Sequence, residues 1–240
     1  MKTIALHKPD LPFLSSLTQA EPELLPTGLG EIDALVGGLP RGRVTELVGP
    51  ESSGRTSVML SILAEATARG ETCALVDAQD AFDPSSAQAA GVRLQQLLWV
   101  RCKGLQQALT AIDWMAHAGG FGILALDLGQ IPAECIQRVP LSTWYRFCRA
   151  IEHTPTVLLC IEREPSTCAS LVLSFEAPRI TWFRPASSRP VRGPERLPFA
   201  CLLRNSCARI AMQQTRCFRD FGKSIEVQFN THPAGWVACL

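Results

Sequence analysis

The chain has 240 residues, 47% of them hydrophobic and 19% charged, and a formal net charge of +1. That length holds one sizeable core, so a single domain over residues 25–240 is expected behind an arm at 1–24. No apolar run approaches the roughly 20 residues of a membrane span. The cysteines show no CxxC spacing, and His7, His117, His153 and His232 show no ligand spacing, which speaks against a zinc or disulfide scaffold and leaves a cytoplasmic protein as the expectation.

Residues 1–24 carry Pro9, Pro12 and Pro22 with no sustained period, and they lack the continuous apolar stretch of a signal peptide. They read as an extended arm, in which Phe13 is either a core contact or an apolar anchor for a neighbour. The first strong signal follows. Val44, Leu47 and Val48 form an apolar run that enters Gly49-Pro50-Glu51-Ser52-Ser53-Gly54-Arg55-Thr56-Ser57. Glycines at the two ends let bare backbone curl around phosphate, and the hydroxyl of Thr56 suits magnesium, but Arg55 stands where a phosphate loop carries lysine. A planar guanidinium does not replace a compact ammonium conservatively in a cramped cradle. Residues 56–69 place Val58, Ile62, Leu63 and Ala66 at helical spacing before Gly70, so a helix N-terminus points its free N–H groups at the loop. A plain glycine turn between strand and helix satisfies the same letters.

Further along, 73–78 reads as a strand ending at Gln79, and Leu105, Ala108, Leu109 and Ile112 form one face of a helix over 105–117. The apolar run 123–127 ends in Asp127, in the manner of a strand delivering a carboxylate to a magnesium shell; an aspartate opening any loop after a buried strand has the same pattern. A loop over 129–138, a helix over 141–153 and a strand over 157–161 come next, then Glu162-Arg163, a short connection over 164–170 and another strand from Leu171. Cys73 and Cys160 fall in apolar strand patterns as small hydrophobes. From 179 to 223 only Glu195 and Asp220 oppose a series of arginines, which makes Arg189, Arg192 and Arg196 a candidate surface for DNA or a partner, or simply a solvated face. Residues 184–194 are rich in proline and serine and read as an exposed loop, with strands at 199–204 and 225–229 beyond.

The segments Leu39-Pro40-Arg41-Gly42-Arg43, Gly49-Pro50-Glu51-Ser52-Ser53-Gly54 and Thr72-Cys73-Ala74-Leu75-Val76-Asp77-Ala78-Gln79, with Phe82-Asp83-Pro84, Gly91-Val92 and the upstream Thr27-Gly28-Leu29-Gly30-Glu31-Ile32-Asp33, resemble the RecA recombinase family over about residues 25–100. The resemblance implies an α/β fold, a RecA-like P-loop core whose central, mostly parallel sheet is flanked by helices. It implies a nucleotide site at residues 49–57, with ATP and Mg as weakly held cofactors and Thr56 and Asp127 as the magnesium ligands. It also exposes departures. Gln79 stands at the catalytic glutamate position and Arg163 at the γ-phosphate sensor, so no catalytic residue is expected; glutamine can still orient a water. Both DNA loops of the family are shortened, at 129–138 and 164–170, and neither its C-terminal domain nor its N-terminal assembly helix has an expected counterpart. The closest functional resemblance is to ImuA-type accessory proteins, which implies a Y-family-like polymerase partner in damage-induced translesion synthesis, with RecA and DNA as further partners and no membrane. The alternatives are an ATP-dependent recombinase paralogue binding single-stranded DNA and a SulA-like division inhibitor.

Overall fold

The computed structural model describes residues 23–176 with their side chains, and the strands at 179–182, 203–214 and 224–229 by backbone. Phe13, the 184–194 loop and Arg189, Arg192 and Arg196 lie outside the described residues.

Four strands supply the centre: β3 (Val44–Val48), β4 (Cys73–Asp77), β6 (Ile123–Asp127) and β7 (Val157–Glu162). Their near-continuous burial is what a parallel sheet covered on both faces demands. With β8 (Leu171–Phe175) and β5 (Leu97–Arg101) they form a parallel block in the order β8-β3-β7-β6-β4-β5. β10 (Leu203–Gln214) extends it antiparallel to β8, β11 (Ser224–Phe229) pairs antiparallel with β10, and β9 (Arg179–Trp182) pairs with the start of β10. A small antiparallel pair, β1 (Leu24–Leu25) with β2 (Leu39–Pro40), stands apart. The expected α/β architecture with a mostly parallel sheet between helices is what the chain forms.

Strand alternation divides the core in two. On one face Leu47, Leu75 and Ile123 pack with Val58, Met59, Ile62 and Leu63 of α2 (Arg55–Ala68) and Ile32 of α1 (Gly30–Val36). On the other, Ala74, Val76, Leu124 and Leu126 meet Ala108 and Ile112 of α4 (Leu105–Ala118) and Trp144 and Phe147 of α6 (Leu141–Ile151), the last two in an edge-to-face contact with centroids 5.8 Å apart. Cys73, Cys102 and Cys160 are buried free thiols, so cysteine serves as a core hydrophobe. Among the described residues no helix is long and apolar enough to cross a membrane.

Some elements depart from expectation. α6 ends at Ile151, short of 153, because Glu152 is extended and His153 turns through a positive φ of 63° while the Thr154 hydroxyl donates to the Ile151 carbonyl at 2.6 Å. The 129–138 loop contains a short helix, α5 (Ala133–Gln137), which packs Ile136 into the core after Pro132. α3 (Pro84–Ala89) is an additional helix whose signal is local: Asp83 accepts from the backbone N–H groups of Ser85 and Ser86, and Pro84 opens the first turn. Of the strand expected at 199–204, residues 199–202 lie outside the described residues, and Leu203 and Arg204 belong to β10, which continues to Gln214 with ladders to β8 and β11 on its two sides.

Phe147 has no exposed surface and supports the second half of the core. Phe147→Ala is expected to lower stability by about 3–5 kcal/mol, read as a shift in the urea midpoint with an unchanged slope.

Candidate functional site

The candidate residues gather at the carboxyl ends of the parallel strands, where open α/β sheets place their ligands. β3 runs into the 49–56 loop, the neighbouring β7 ends at Glu162, and β6 ends at Asp127. Gly49 is required by close approach, because a Cβ there would lie 2.6 Å from the backbone oxygen of Phe175. Ser52 and Gly54 take positive φ angles of 60° and 96°, curling the loop into α2. Gly49 N–H donates to the Glu162 carbonyl at 3.3 Å and Ser53 N–H to the Pro50 carbonyl at 3.4 Å. The helix bonds of α2 begin with Val58 N–H to the Gly54 carbonyl, so the N–H groups of Arg55, Thr56 and Ser57 have no partner among the described residues. Three free donors at the positive end of a helix of this length favour an anion. The hydroxyl of Ser53, 2% exposed, is also without a partner.

Arg55 is buried, and its Nη1 donates to the Glu162 carbonyl oxygen. Its guanidinium nitrogens lie 3.4 and 3.6 Å from where a Gly129 Cβ would stand, a point 3.1 Å from Asp127 Oδ1, so cation and carboxylate share one corner. Burial lowers the Arg55 pKa, partly offset by the charge of Asp127; a guanidinium in this position stays charged. Burial likewise raises the Asp127 pKa, against the hydrogen bond its Oδ1 accepts from Gly129 N–H at 2.9 Å. Arg163 donates from Nε to the Gly129 carbonyl at 3.2 Å and pairs through Nη2 with Glu51 of the loop. The two arginines that depart from the family pattern therefore both bond to the site itself.

Thr56 and Asp127 sit on the elements that would carry magnesium, the loop helix and the end of β6. The surroundings do not fit the ion. Magnesium keeps a near-ideal octahedron with several waters, whereas the side of Asp127 toward Gly129 holds the Arg55 guanidinium. No chemistry at this site is therefore assigned to a metal.

Gln79 is exposed beyond β4, and its backbone N–H donates to Asp77 Oδ1 at 3.1 Å. Asp77 organises that corner, since its Oδ2 also accepts from Phe82 N–H at 2.9 Å and from Trp99 Nε1 at 3.4 Å. The resemblance singles out Gln79, yet the residue that shapes the loop is Asp77. Two further carboxylates lie beneath the loop. Glu162 and Glu46 are fully buried, and each keeps one oxygen without a partner. Glu46 Oε1 accepts from Thr167 N–H at 2.6 Å and Ser166 N–H at 3.4 Å, while Ser166 Oγ donates to Glu162 Oε2. Burial, with the Glu46 charge added, pushes the Glu162 carboxyl up to about 8. A glutamate inside the apolar run 44–48 was the available signal for Glu46.

The sheet order and the glycine loop opening α2 define a P-loop α/β protein. The sequence matches the RecA N-terminal domain over residues 13–133, half of the chain, and the chain belongs to that family. It is 44% identical over 109 residues to Protein RecA of Paramagnetospirillum magneticum, a match covering 45% of this chain and 30% of that protein. Against Protein RecA of Thermus thermophilus it is 37% identical over 116 residues, 48% of this chain and 34% of the relative. The chain thus spans about a third of the length of the curated relatives it matches. The crystal structure of the RadB recombinase aligns with a TM-score of 0.62 at 16% identity, covering 88% of this chain and 98% of that one, which bears on fold alone.

The raised Glu162 pKa has a direction in pH. An unfolded glutamate loses its proton near 4.5, while the native one holds it to about 8. The stability tied to that proton is complete below pH 4.5 and is lost as pH rises through 8. Glu162→Gln is expected to flatten this decline in urea titrations taken across the window, leaving the slope of the same sign that Glu46 and Asp127 contribute, since burial raises both of their pKa values.

Proposed function

We propose that this RecA-family chain is an accessory protein of the bacterial DNA damage response that supports translesion DNA synthesis through contacts with a Y-family-like polymerase complex, and that it does not work by ATP hydrolysis. The observation that carries this reading is the engagement of Arg55 and Arg163. Arg55 donates to the Glu162 carbonyl and Arg163 pairs with Glu51, so neither side chain is free to follow a terminal phosphate as it transfers. Gln79, at the position of the water-activating carboxylate, cannot accept a proton. With the motor chemistry lost, what remains is a scaffold whose surfaces bind. The 179–223 arginines are the surface proposed for DNA or an acidic partner, and RecA is a further proposed partner.

Steady-state ATP turnover, measured with single-stranded DNA present, is expected to stay at background. Sustained turnover of about 1 per second, ordinary for an enzyme, would overturn the reading. In a pull-down from damage-treated cells the full chain should retain polymerase components; capture of a division protein instead would favour the SulA-like alternative. Replacing Arg189, Arg192 and Arg196 by alanine is expected to flatten the salt dependence of duplex binding, by a log–log slope of about 0.9 for each phosphate that is no longer neutralised, if DNA is the ligand. A protein ligand would show itself as weaker capture with DNA affinity unchanged.

A further inference from the structure

The geometry points to a phosphate loop that takes a two-phosphate group, as in a nucleoside diphosphate or inorganic pyrophosphate, without a divalent cation, the Arg55 guanidinium supplying the charge that magnesium would bring. This goes beyond the accessory role, which holds whether or not the loop is filled.

The N–H groups of Arg55, Thr56 and Ser57 have no partner among the described residues, and they open a helix of fourteen residues. Beside them the Ser53 hydroxyl is buried and unpartnered, a cost that an acceptor in the cradle removes. These groups ask for an anion with several oxygens.

Such an anion needs a counter-charge. A polyphosphate ordinarily brings magnesium because its own negative charges repel. In this cradle a cation is already installed: Arg55 is buried, fixed to the Glu162 carbonyl, and beside the carboxylate of Asp127. Placing a doubly charged ion there would set it against the guanidinium over a few ångströms of poorly screened space, with a single carboxylate between them. A planar, forked donor also bonds phosphate oxygens directly, so the loop does not need the ion.

The number of phosphates is limited by Arg163, which joins the loop to the end of β6, through Glu51 on one side and the Gly129 carbonyl on the other. The Arg163–Glu51 pair is solvent-exposed, and a third phosphate extending toward the strand ends competes with the Glu51 carboxylate for Arg163 and adds a like charge beside it. A two-phosphate group stays within the helix N-terminus and leaves that pair intact.

Isothermal titration calorimetry of the full chain with pyrophosphate, ADP and ATP, each in magnesium and in EDTA, tests this. Pyrophosphate and ADP are expected to bind with dissociation constants that agree within about twofold between the two buffers, and ATP no more tightly than ADP. Arg55→Ala should weaken ADP at least about tenfold, whereas Arg55→Lys should make binding magnesium-dependent, because a point charge leaves the metal side of Asp127 open. Melting curves of both variants, taken without ligand, verify that they are folded. Tightening of wild-type ADP or ATP binding by magnesium of about tenfold or more overturns the inference, as does the absence of heat with both pyrophosphate and ADP. Steady ATP turnover alongside magnesium-independent ADP binding would overturn the accessory reading alone.

Discussion

The carbonyl oxygen of Glu162 accepts from both Gly49 N–H and Arg55 Nη1, and through that one atom the phosphate loop is tied to the end of the adjacent strand β7. An arginine head inside a protein needs its donors engaged, since a buried unpaired cation costs more than the site recovers elsewhere. Glu162 provides the anchor, Gly129 the room, and Asp127 the compensating charge. Each of these residues is thereby committed to Arg55, and their availability to a ligand follows from that commitment.

Beneath the anchor the structure tolerates an expensive arrangement. Glu46 and Glu162 are fully buried and share the Ser166 to Thr167 turn as donors, yet each has one oxygen unsatisfied. Protonation of Glu162 is the inexpensive way out, since a neutral carboxyl avoids the desolvation of a charge. The turn they hold is the short connection between β7 and β8, whose neighbour Phe175 crowds Gly49. Loop, carboxylates and turn therefore form one polar unit set into an apolar sheet, and a change in any member is felt by the others.

Much of this was legible in the sequence. Where a strand is buried on both faces its residues form an unbroken apolar run, which is why β3, β4, β6 and β7 could be read with nearly their final bounds. α2 and α4 were legible from helical spacing and their glycine borders. Less visible were elements whose stability is tertiary. The edge strand β5 is only half-buried and depends on Trp99, which stacks edge-on with Phe82 and carries Arg101 over its ring. β10 owes its length to two partner strands rather than to its own pattern. At the site, glycine spacing located the loop, but no local pattern could say where the head of Arg55 would go, because its acceptor lies 107 residues away in the chain.

The exchange of lysine for arginine is best understood as a change in what the neighbours must do. A lysine at position 55 would be a small, mobile, strongly hydrated charge that could follow a phosphate and leave Asp127 free for a metal. The arginine is larger, planar and forked, and once bonded to a backbone oxygen it is held by geometry as well as charge. Arg163 extends the same logic, since it spans from β7 to Glu51 and the Gly129 carbonyl and links loop to strand end. Restoring a lysine alone would leave Arg163, Glu51 and Gln79 as they are. The arrangement around position 55 is thus carried by a connected set of groups, Arg55 with Glu162 and Gly49 on one side and Arg163 with Glu51 and Gly129 on the other, and a single exchange at that position does not undo the rest of it.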